Sequence, residues 1–291
     1  MWVLFAFGSA LFAGITAVLA KLGIAKTDSY LVTALRTVVV VFFAWFMVFV
    51  AGSFNSITAI SGKTFLFLIL SGLATGASWI CYFKALQLGD VNKVVSIDKS
   101  STILTMLFAF LFLKEGLSVI KVLAMVLIGS GTYLMLERKH RNPDSLDMNA
   151  KESRTWLIYA LLSAVFASLT AILGKVGITG VESNLGTAIR TLVVLIMAWL
   201  MVFGLHKQKE IRDIERRSWI FILLSGLTTG LSWLCYYRAL QDGPAGVVVP
   251  IDKLSIVVTV FFAYFVLKEK LQKKSLVGLI FIVLGTLALL I

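Results

Sequence analysis

The chain has 291 residues and is far more apolar than a soluble protein: hydrophobic residues make up 59% of it, charged residues 14%, and its mean hydropathy is +0.95, against about 45–50% apolar and about 25% charged in soluble domains. Candidate membrane spans fill it essentially from end to end, which excludes a function carried by a water-soluble domain. The net charge of +12 comes from short basic clusters beside apolar stretches, which is topology bias rather than the continuous basic face of a nucleic-acid-binding protein.

Ten stretches are long and apolar enough to cross a bilayer, for which about 20 mostly apolar residues suffice. In chain order the predicted spans 1 to 10 are residues 2–22, 30–51, 64–87, 92–112, 117–136, 155–176, 184–205, 218–240, 246–266 and 274–291. Asp28-Ser29 and Glu182-Ser183 are typical of helix starts, and Gly89-Asp90 and Gly243-Pro244 of turns. Span 1 has no basic segment before it and matches span 6, so we expect a retained span and not a cleaved signal.

The chain is one unit written twice, at an offset of 154 residues. Residues 71–86 and 225–240 are identical at 11 of 16 positions. The first repeat is residues 1–137 and the second 155–291, and the polar segment 138–154 links them. Five spans per repeat is an odd number, so the second repeat starts on the opposite side of the membrane and the repeats are inverted. Inverted repeats are a recurring basis of alternating access.

Lys and Arg are concentrated at one end of the predicted bundle. That end holds the linker and the loops between spans 7 and 8 and between spans 9 and 10, whereas the other has little beyond Lys63, Lys114 and Lys121. The positive-inside rule then predicts a multi-pass protein of the cytoplasmic membrane with a cytoplasmic linker and both termini outside. Lys175 and Glu115, at span ends, are expected at the headgroups or in solvent.

Each repeat carries ionisable residues inside two spans. Arg36 and Arg190 lie about 10 Å deep in spans 2 and 7, and Asp98-Lys99 and Asp252-Lys253 are similarly placed in spans 4 and 9. Such groups usually face the bundle interior or a wet cavity. Arg36 and Asp98 share one depth and Arg190 and Asp252 the mirrored depth, so each repeat holds a candidate ion pair. Three interpretations remain for these groups. They hold helices in register, with each aspartate paired to Arg or to the adjacent Lys; they gate the protein or bind a charged substrate; or they snorkel to the surface.

Polar and aromatic residues form a stripe on spans 3 and 8, because residues three, four and seven apart share a helix face. Its members are Ser71, Thr75, Ser78 and Tyr82, repeated as Ser225, Thr229, Ser232 and Tyr236, with Trp79 and Trp233 nearby. Thr105 and Thr259 share faces with the aspartates of spans 4 and 9. The tyrosines are pocket candidates. For the small members, close helix packing through Gly72-xxx-Gly76 and Gly226-xxx-Gly230 is the competing explanation.

No nucleotide-binding, metal-binding or catalytic motif interrupts this pattern in the sequence. Cys81 and Cys235 are equivalent positions inside spans and suggest neither a disulfide nor a metal pair. We therefore expect no enzyme activity, no cofactor, no metal and no ATP hydrolysis by this chain. If protons couple transport, Asp98 and Asp252 are the best carriers, because both histidines lie in basic loops.

The inverted five-span repeats, the early Arg of spans 2 and 7, the [SG]-W-x-x-Y-[FY]-x-A-L run of spans 3 and 8 and Leu-Lys-Glu after spans 4 and 9 together resemble the EamA-type transporters of the drug/metabolite transporter superfamily. The resemblance implies a ten-helix fold with a central cavity between helices 1 to 4 and 6 to 9. It implies peripheral helices 5 and 10 in packing or dimer contacts, and export of amino acids or other small metabolites. In this family a proline stands early in helices 4 and 9. Here Pro250 stands at that place in the second repeat, and Ser96 stands there in the first. Members of this family usually have cytoplasmic termini, which disagrees with the orientation predicted from the distribution of Lys and Arg. We keep the orientation predicted from that distribution.

The sequence thus predicts a secondary transporter that exports a small polar or zwitterionic metabolite, such as an amino acid, by alternating access. Its expected partners are the lipid bilayer and a small-molecule substrate, with or without protons, as a monomer or homodimer. The alternatives are an organic-anion or lipid-headgroup transporter and a non-transporting scaffold subunit. The candidate binding or gating residues are Arg36, Arg190, Asp98, Lys99, Asp252, Lys253, Tyr82, Tyr236, Trp79, Trp233, Ser78, Ser232, Thr105 and Thr259.

Overall fold

A computed structural model describes residues 1–23, 27–88, 94, 97–135, 152–267 and 273–291, and every regular element in these residues is a helix. The α-helices, numbered in chain order, are α1 (Trp2–Gly23), α2 (Ser29–Val50), α3 (Gly62–Leu88), α4 (Ser101–Leu113), α5 (Val119–Met135), α6 (Glu152–Ile178), α7 (Ser183–Gly204), α8 (Arg216–Asp242), α9 (Ala245–Lys253), α10 (Ser255–Leu267) and α11 (Lys273–Ala288). Two short 3₁₀ helices, Ser53–Ala59 and Lys207–Asp213, follow α2 and α7.

Seven stretches within the described residues are long and apolar enough to cross a membrane. They are Trp2–Leu19, Ser29–Val50, Gly62–Ala85, Thr155–Ile178, Ser183–Gly204, Arg216–Asp242 and Ala245–Phe262. Val119–Met135 is a shorter apolar helix. Large apolar side chains such as Phe42, Phe46, Leu123 and Leu200 are exposed on the outside of the bundle, where lipid replaces water. The chain is therefore a multi-pass membrane protein.

The helix starts predicted after Asp28 and Glu182 are confirmed. Each carboxylate accepts hydrogen bonds from the backbone amides two and three residues further on, at 3.0–3.2 Å, which satisfies donors that a helix start leaves unpaired. Gly243-Pro244 forms the predicted turn between α8 and α9. Gly89-Asp90 and most of the linker lie outside the described residues.

Predicted spans 4 and 9 are interrupted, which the sequence pattern did not indicate. A turn at Leu254 separates α9 from α10, and a turn at Ser100 precedes α4 at the equivalent position. At both, the backbone amide donates to the carbonyl three residues back, at 2.9 and 3.0 Å, so the helix tightens for one turn. Pro250 does not explain the interruption, because Ser96 stands at that place in the first repeat. The Asp-Lys pairs lie immediately before these turns.

Helices pack mainly against helices of the other repeat. The main contacts are α1 with α8, α3 with α6, α5 with α11, α2 with α7, α2 with α8, α1 with α10, α3 with α7 and α4 with α6. A Cβ on Gly72 would lie 2.7 Å from the Val193 side chain, and one on Gly76 2.6 Å from Met197. The glycines of α8 meet α2 in the same way. Close packing through these glycines, which was the competing explanation for the small residues, is therefore present, and it joins the two repeats.

The bundle has two ends, which we call the linker end and the terminal end. The linker end holds the starts of α2 and α6 and the end of α7, where Lys207 lies 3.7 Å from Asp28. The hydrogen bond that Lys207 donates to Glu210, at 2.6 Å, raises the pKa of Lys207. The terminal end holds the ends of α6 and α8, and Trp2 lies against Gly243 there. Because the helices alternate in direction, both chain termini lie at the terminal end.

Candidate functional site

Asp98 is held by a serine of the opposite repeat. The Ser163 hydroxyl, on α6, donates to Asp98 Oδ1 at 3.0 Å. Ser78, on α3, donates to the Ser163 backbone carbonyl at 3.1 Å, and the two hydroxyls are 3.3 Å apart. Both serines are buried, whereas Asp98 is half-buried. A carboxylate in this setting is fixed in orientation while one side of it stays accessible.

The same arrangement is repeated around Asp252. The Ser9 hydroxyl, on α1, donates to Asp252 Oδ1 at 2.5 Å, and Ser232, on α8, donates to the Ser9 carbonyl at 3.1 Å. Ser9 and Ser163 are equivalent at the offset of 154, but of these four serines only Ser78 and Ser232 were predicted as site residues. The signal available for Ser9 and Ser163 was that the same residue type stands inside a span at equivalent positions of both repeats. Their partner aspartates could not be read from the sequence because each lies in the other repeat.

The charges of the two repeats come together at Lys99. Lys99 lies within electrostatic range of Lys253, Asp98 and Asp252. Its side chain is exposed, while the other three are half-buried. A mid-span lysine among charges of both signs is typical of a residue that lines an opening inside the bundle. The pairs Asp98-Lys99 and Asp252-Lys253 thus form one cluster, which we call the central charge cluster.

The tyrosines and threonines named from the sequence surround this cluster in two ways. Tyr82 lies within electrostatic range of Asp98, and Tyr236 within range of Asp252. Thr105 and Thr259 instead donate to the backbone carbonyls of their own helices, at 2.8 and 2.9 Å, in the first turn after the interruptions. The tyrosines therefore lie near the charged groups, and the threonines stabilise the starts of α4 and α10.

Arg190 is enclosed by two repeats and is 2% exposed. Its Nε donates to Ser71 Oγ at 3.0 Å and its Nη2 to Thr75 Oγ1 at 2.5 Å. Its guanidinium carbon lies 5.1 Å from the Trp233 ring and 4.8 Å from the Tyr237 ring, within cation–π range. Nη1 is buried and has no hydrogen-bond partner within the described part of the chain. These five residues are called the Arg190 cluster below.

Arg36, the equivalent of Arg190, has different surroundings. It is half-buried, and no side-chain hydrogen bond or ion pair joins it to another described residue. Ser225 and Thr229, which correspond to the serine and threonine bound by Arg190, donate to carbonyls of their own helix at 2.9 and 2.6 Å. The two repeats therefore carry the same residues in two different arrangements.

The ion pairs expected between Arg36 and Asp98 and between Arg190 and Asp252 are not formed among the residues that the structure describes. Hydroxyl groups take their place: Arg190 donates to hydroxyls of α3, and serine hydroxyls donate to the aspartates. An aspartate-lysine ion pair is likewise absent from the central charge cluster as far as it is described. Depth in the membrane was thus a poor guide to pairing, because helices at equal depth can present different faces.

The start of α7, at the terminal end, is more buried than the start of α2, at the linker end. Ser183 and Thr187 on α7 are each 1% exposed, whereas their equivalents on α2, Ser29 and Thr33, are half-buried. Tyr237, of the Arg190 cluster, is 2% exposed. Since Ser183 and Thr187 carry the same residue types as Ser29 and Thr33, this difference in burial reports the conformation and not the composition.

Glu115 and Lys175 bond to helix ends at the terminal end of the bundle. Glu115 accepts hydrogen bonds from the backbone amides of Ala245 and Gly246, at 2.6 and 2.9 Å, and so caps α9 of the other repeat. The Lys175 ammonium donates to three backbone carbonyls at the end of α8 and in the following turn. Glu115 was expected in solvent and Lys175 at the headgroups; both are half-buried, and their charged ends bond to backbone groups. Each saturates a helix end that would otherwise leave unpaired backbone groups in an apolar setting.

A sequence model of the EamA-like transporter family matches residues 1–137 and 154–291, one match for each repeat. The chain is 44% identical over 137 residues to a protein named "Uncharacterized transporter in cobO 3'region" of Sinorhizobium sp, covering 47% of this chain and 97% of that protein. It is 27% identical over 184 residues to "Uncharacterized transporter YxxF" of Bacillus subtilis (strain 168), covering 60% of this chain and 54% of that protein. One crystal structure matches with a TM-score of 0.77 over 99% of this chain and 96% of the other, at 16% identity.

Proposed function

Because the chain belongs to the EamA-like transporter family, it is a transporter, and we propose that it exports a small polar or zwitterionic metabolite, such as an amino acid, by alternating access. The proposed arrangement has ten spans in two inverted repeats in the cytoplasmic membrane. It places the linker in the cytoplasm and both termini outside, following the distribution of Lys and Arg. The protein acts as a monomer or homodimer, with or without proton coupling.

The observation that carries the substrate proposal is the central charge cluster. Two carboxylates, Asp98 and Asp252, and the Lys253 ammonium lie within electrostatic range of the Lys99 ammonium, and the four groups come from both repeats. Asp98 and Asp252 each accept a serine hydrogen bond on Oδ1 only, within the described residues, so Oδ2 remains for a ligand. A substrate ammonium fits between the aspartates and its carboxylate on the lysines, since charge-assisted hydrogen bonds are the strongest available.

Alternating access is supported by the unequal arrangements at the two ends. At the terminal end Arg190 donates to Ser71 and Thr75, whereas at the linker end Ser225 and Thr229 donate to carbonyls of their own helix. In an inverted repeat, exchanging these two arrangements converts a chain open at one end into one open at the other. Substrate then meets the central charge cluster from alternate sides.

The test is uptake of a radiolabelled amino-acid panel into proteoliposomes, with and without a pH gradient. For a transported compound, Asp98→Asn and Asp252→Asn should abolish uptake, because each removes a charge that binds the ammonium. Asp213→Asn is the matched control, since Asp213 is exposed in the short helix after α7. Flat uptake for every compound in the panel would exclude amino acids as the substrate class.

An organic anion is the second candidate, because neither Arg36 nor Arg190 has a carboxylate partner among the described residues. In that case both aspartate variants should keep transport and Arg36→Gln should lose it. The family assignment argues against a non-transporting scaffold.

A further inference from the structure

A groove lies between α3 and α7 in the half of the bundle near the linker end. Toward the middle of the membrane the two helices touch closely, because a Cβ on Gly76 would lie 2.6 Å from the Met197 side chain. One and two turns further along α3, Ile80 and Lys84 take the place of the glycine on the same helix face. A cavity with a volume of about 470 Å³ separates the helices there, which is large enough for a ligand. We call it the α3–α7 groove.

The walls of the α3–α7 groove are apolar and open toward lipid. Ile80 is 45% exposed, whereas its equivalent in the other repeat, Leu234, is 8% exposed. Leu200 forms the opposite wall and is also exposed, and a Cβ on Gly204 would meet no atom within 4 Å. From Met197 to Gly204, α7 rises about 10 Å, which is most of the hydrocarbon depth of about 15 Å in one leaflet. The groove therefore has the polarity and the length to hold a lipid acyl chain.

The mouth of the groove carries a cation and two tyrosines. Lys84 is exposed, and no ion pair joins it to another residue in the described part of the chain. Tyr30 and Tyr159 are half-buried and line the same opening. The carboxylate at the start of α2, Asp28, accepts hydrogen bonds from backbone amides and lies 3.7 Å from Lys207, so its charge is already balanced. The mouth therefore presents an unbalanced positive charge near the depth of the lipid headgroups.

The equivalent cation in the other repeat has a partner. Arg238, the equivalent of Lys84, lies 3.4 Å from the Asp242 carboxylate four residues further on. The residue at the same distance after Lys84 is Leu88, which carries no charge. The two repeats therefore differ in that the cation beside the open groove lacks the acidic neighbour that balances its equivalent at the terminal end.

We propose that the α3–α7 groove binds one anionic phospholipid of the leaflet at the linker end, with an acyl chain between Ile80 and Leu200 and the phosphate on Lys84. A lipid with net negative charge balances the lysine, and its phosphate accepts a charge-assisted hydrogen bond from the ammonium. A single lysine near the headgroups favours an anionic lipid over a zwitterionic one about fivefold. The two tyrosines suit the boundary between headgroups and hydrocarbon. Lipid binding in this groove is independent of which substrate the protein transports.

The test compares two photoreactive lipids on the full-length protein. Purified protein is reconstituted in phosphatidylcholine vesicles that contain a small, equal fraction of either phosphatidylglycerol or phosphatidylcholine with a diazirine in one acyl chain. After irradiation, mass spectrometry assigns the lipid adducts to peptides. Phe42 and Phe46, exposed on α2, serve as the reference face. The ratio of phosphatidylglycerol to phosphatidylcholine adducts should be about fivefold higher at the groove than at the reference face.

Four variants separate the charge from the apolar walls. Lys84→Gln should bring the ratio at the groove down to that of the reference face and leave the phosphatidylcholine adducts unchanged. Leu88→Asp should also lower the ratio, because it supplies the lysine with the acidic neighbour found in the other repeat. Arg238→Gln is the matched control and should leave the ratio at the groove unchanged. Gly204→Phe should lower the adducts of both lipids there, because its side chain occupies the open space at the mouth.

The proposal is overturned if the groove and the reference face show the same ratio in the unsubstituted protein, or if Lys84→Gln changes the ratio no more than Arg238→Gln does. Equal labelling of the groove by both lipids would mean that it holds an acyl chain without selecting the headgroup. If neither lipid labels the groove and Gly204→Phe converts a dimer into a monomer, a second copy of the chain fills the groove instead of a lipid.

Discussion

Arg190→Met tests whether the buried arginine serves stability or transport. The substitution removes two hydrogen bonds from a charged donor, worth about 1.5–3 kcal/mol each, and the contacts with Trp233 and Tyr237, worth about 0.5–2 kcal/mol each. Against this, it removes a buried charge with no carboxylate partner among the described residues and one unpaired nitrogen, a penalty of several kcal/mol. The Ser71 and Thr75 hydroxyls keep carbonyl acceptors.

These opposing contributions nearly cancel, so we expect the free energy of unfolding to change by less than about 2 kcal/mol. Transport should respond differently. Opening the terminal end would expose the new methionine, whose burial is worth about 1.5–3 kcal/mol, whereas the native arginine is well solvated in a wet opening. The open state should therefore become at least about tenfold rarer, and uptake should fall by a similar factor.

The assay combines thermal unfolding of the detergent-purified protein with uptake into proteoliposomes. Arg36→Met is the matched control, because Arg36 is half-buried and its side chain has no partner among the described residues, and it should change the unfolding free energy by less than about 1 kcal/mol. A loss of more than about 4 kcal/mol in Arg190→Met would refute the reasoning, since the hydrogen bonds would then outweigh the desolvation of the charge. Unchanged uptake would refute its second half.

Three further substitutions test the fold and the site. Glu115→Ala leaves two amides of α9 unpaired and should lower the free energy of unfolding by about 1–3 kcal/mol, seen as a lower melting temperature, and Glu115→Gln should recover part of the loss. Gly131→Leu places a side chain where a Cβ alone would lie 2.5 Å from a backbone oxygen of α11 and should cost about 1–3 kcal/mol, while Gly116→Leu, with no atom within 4 Å of its Cβ, should be neutral in the same measurement. Ser163→Ala removes the donor that orients Asp98 and should raise the apparent KM for uptake about tenfold, whereas an unchanged KM would contradict a role in binding.

The positions of the helices could be read from the sequence because length and apolarity are sufficient in a bilayer. The start of α2 at Ser29 and of α7 at Ser183 differ by one residue from the predicted spans, since capping residues mark them locally. The turns at Ser100 and Leu254 could not be found in this way. The Asp-Lys pairs stand directly before both turns, but charge alone does not mark a break in a helix, and no glycine or proline stands at the turn itself.

The charged residues of the candidate site could be predicted from the sequence, but the hydroxyl groups that they contact could not. Charge inside a span drew attention to Asp98 and Asp252, because isolated charges are costly there. Their partners, Ser163 and Ser9, are small residues that packing alone can explain, and each comes from the opposite repeat. Sequence position within one repeat therefore carried no information on which hydroxyl meets which carboxylate.

The interlocked repeats also determine where a preference between the two ends can arise. Contacts that use identical residues at the offset of 154 contribute equally to both closures, because exchanging the arrangements of the repeats exchanges those contacts as well. Their contributions cancel in the difference between the two states. Only positions at which the repeats differ can make that difference, and among the residues of the Arg190 cluster and their equivalents this is Tyr237, which corresponds to Phe83. A substitution made in both repeats should thus change the stability of both closures together, and the same substitution made in one repeat should change their ratio.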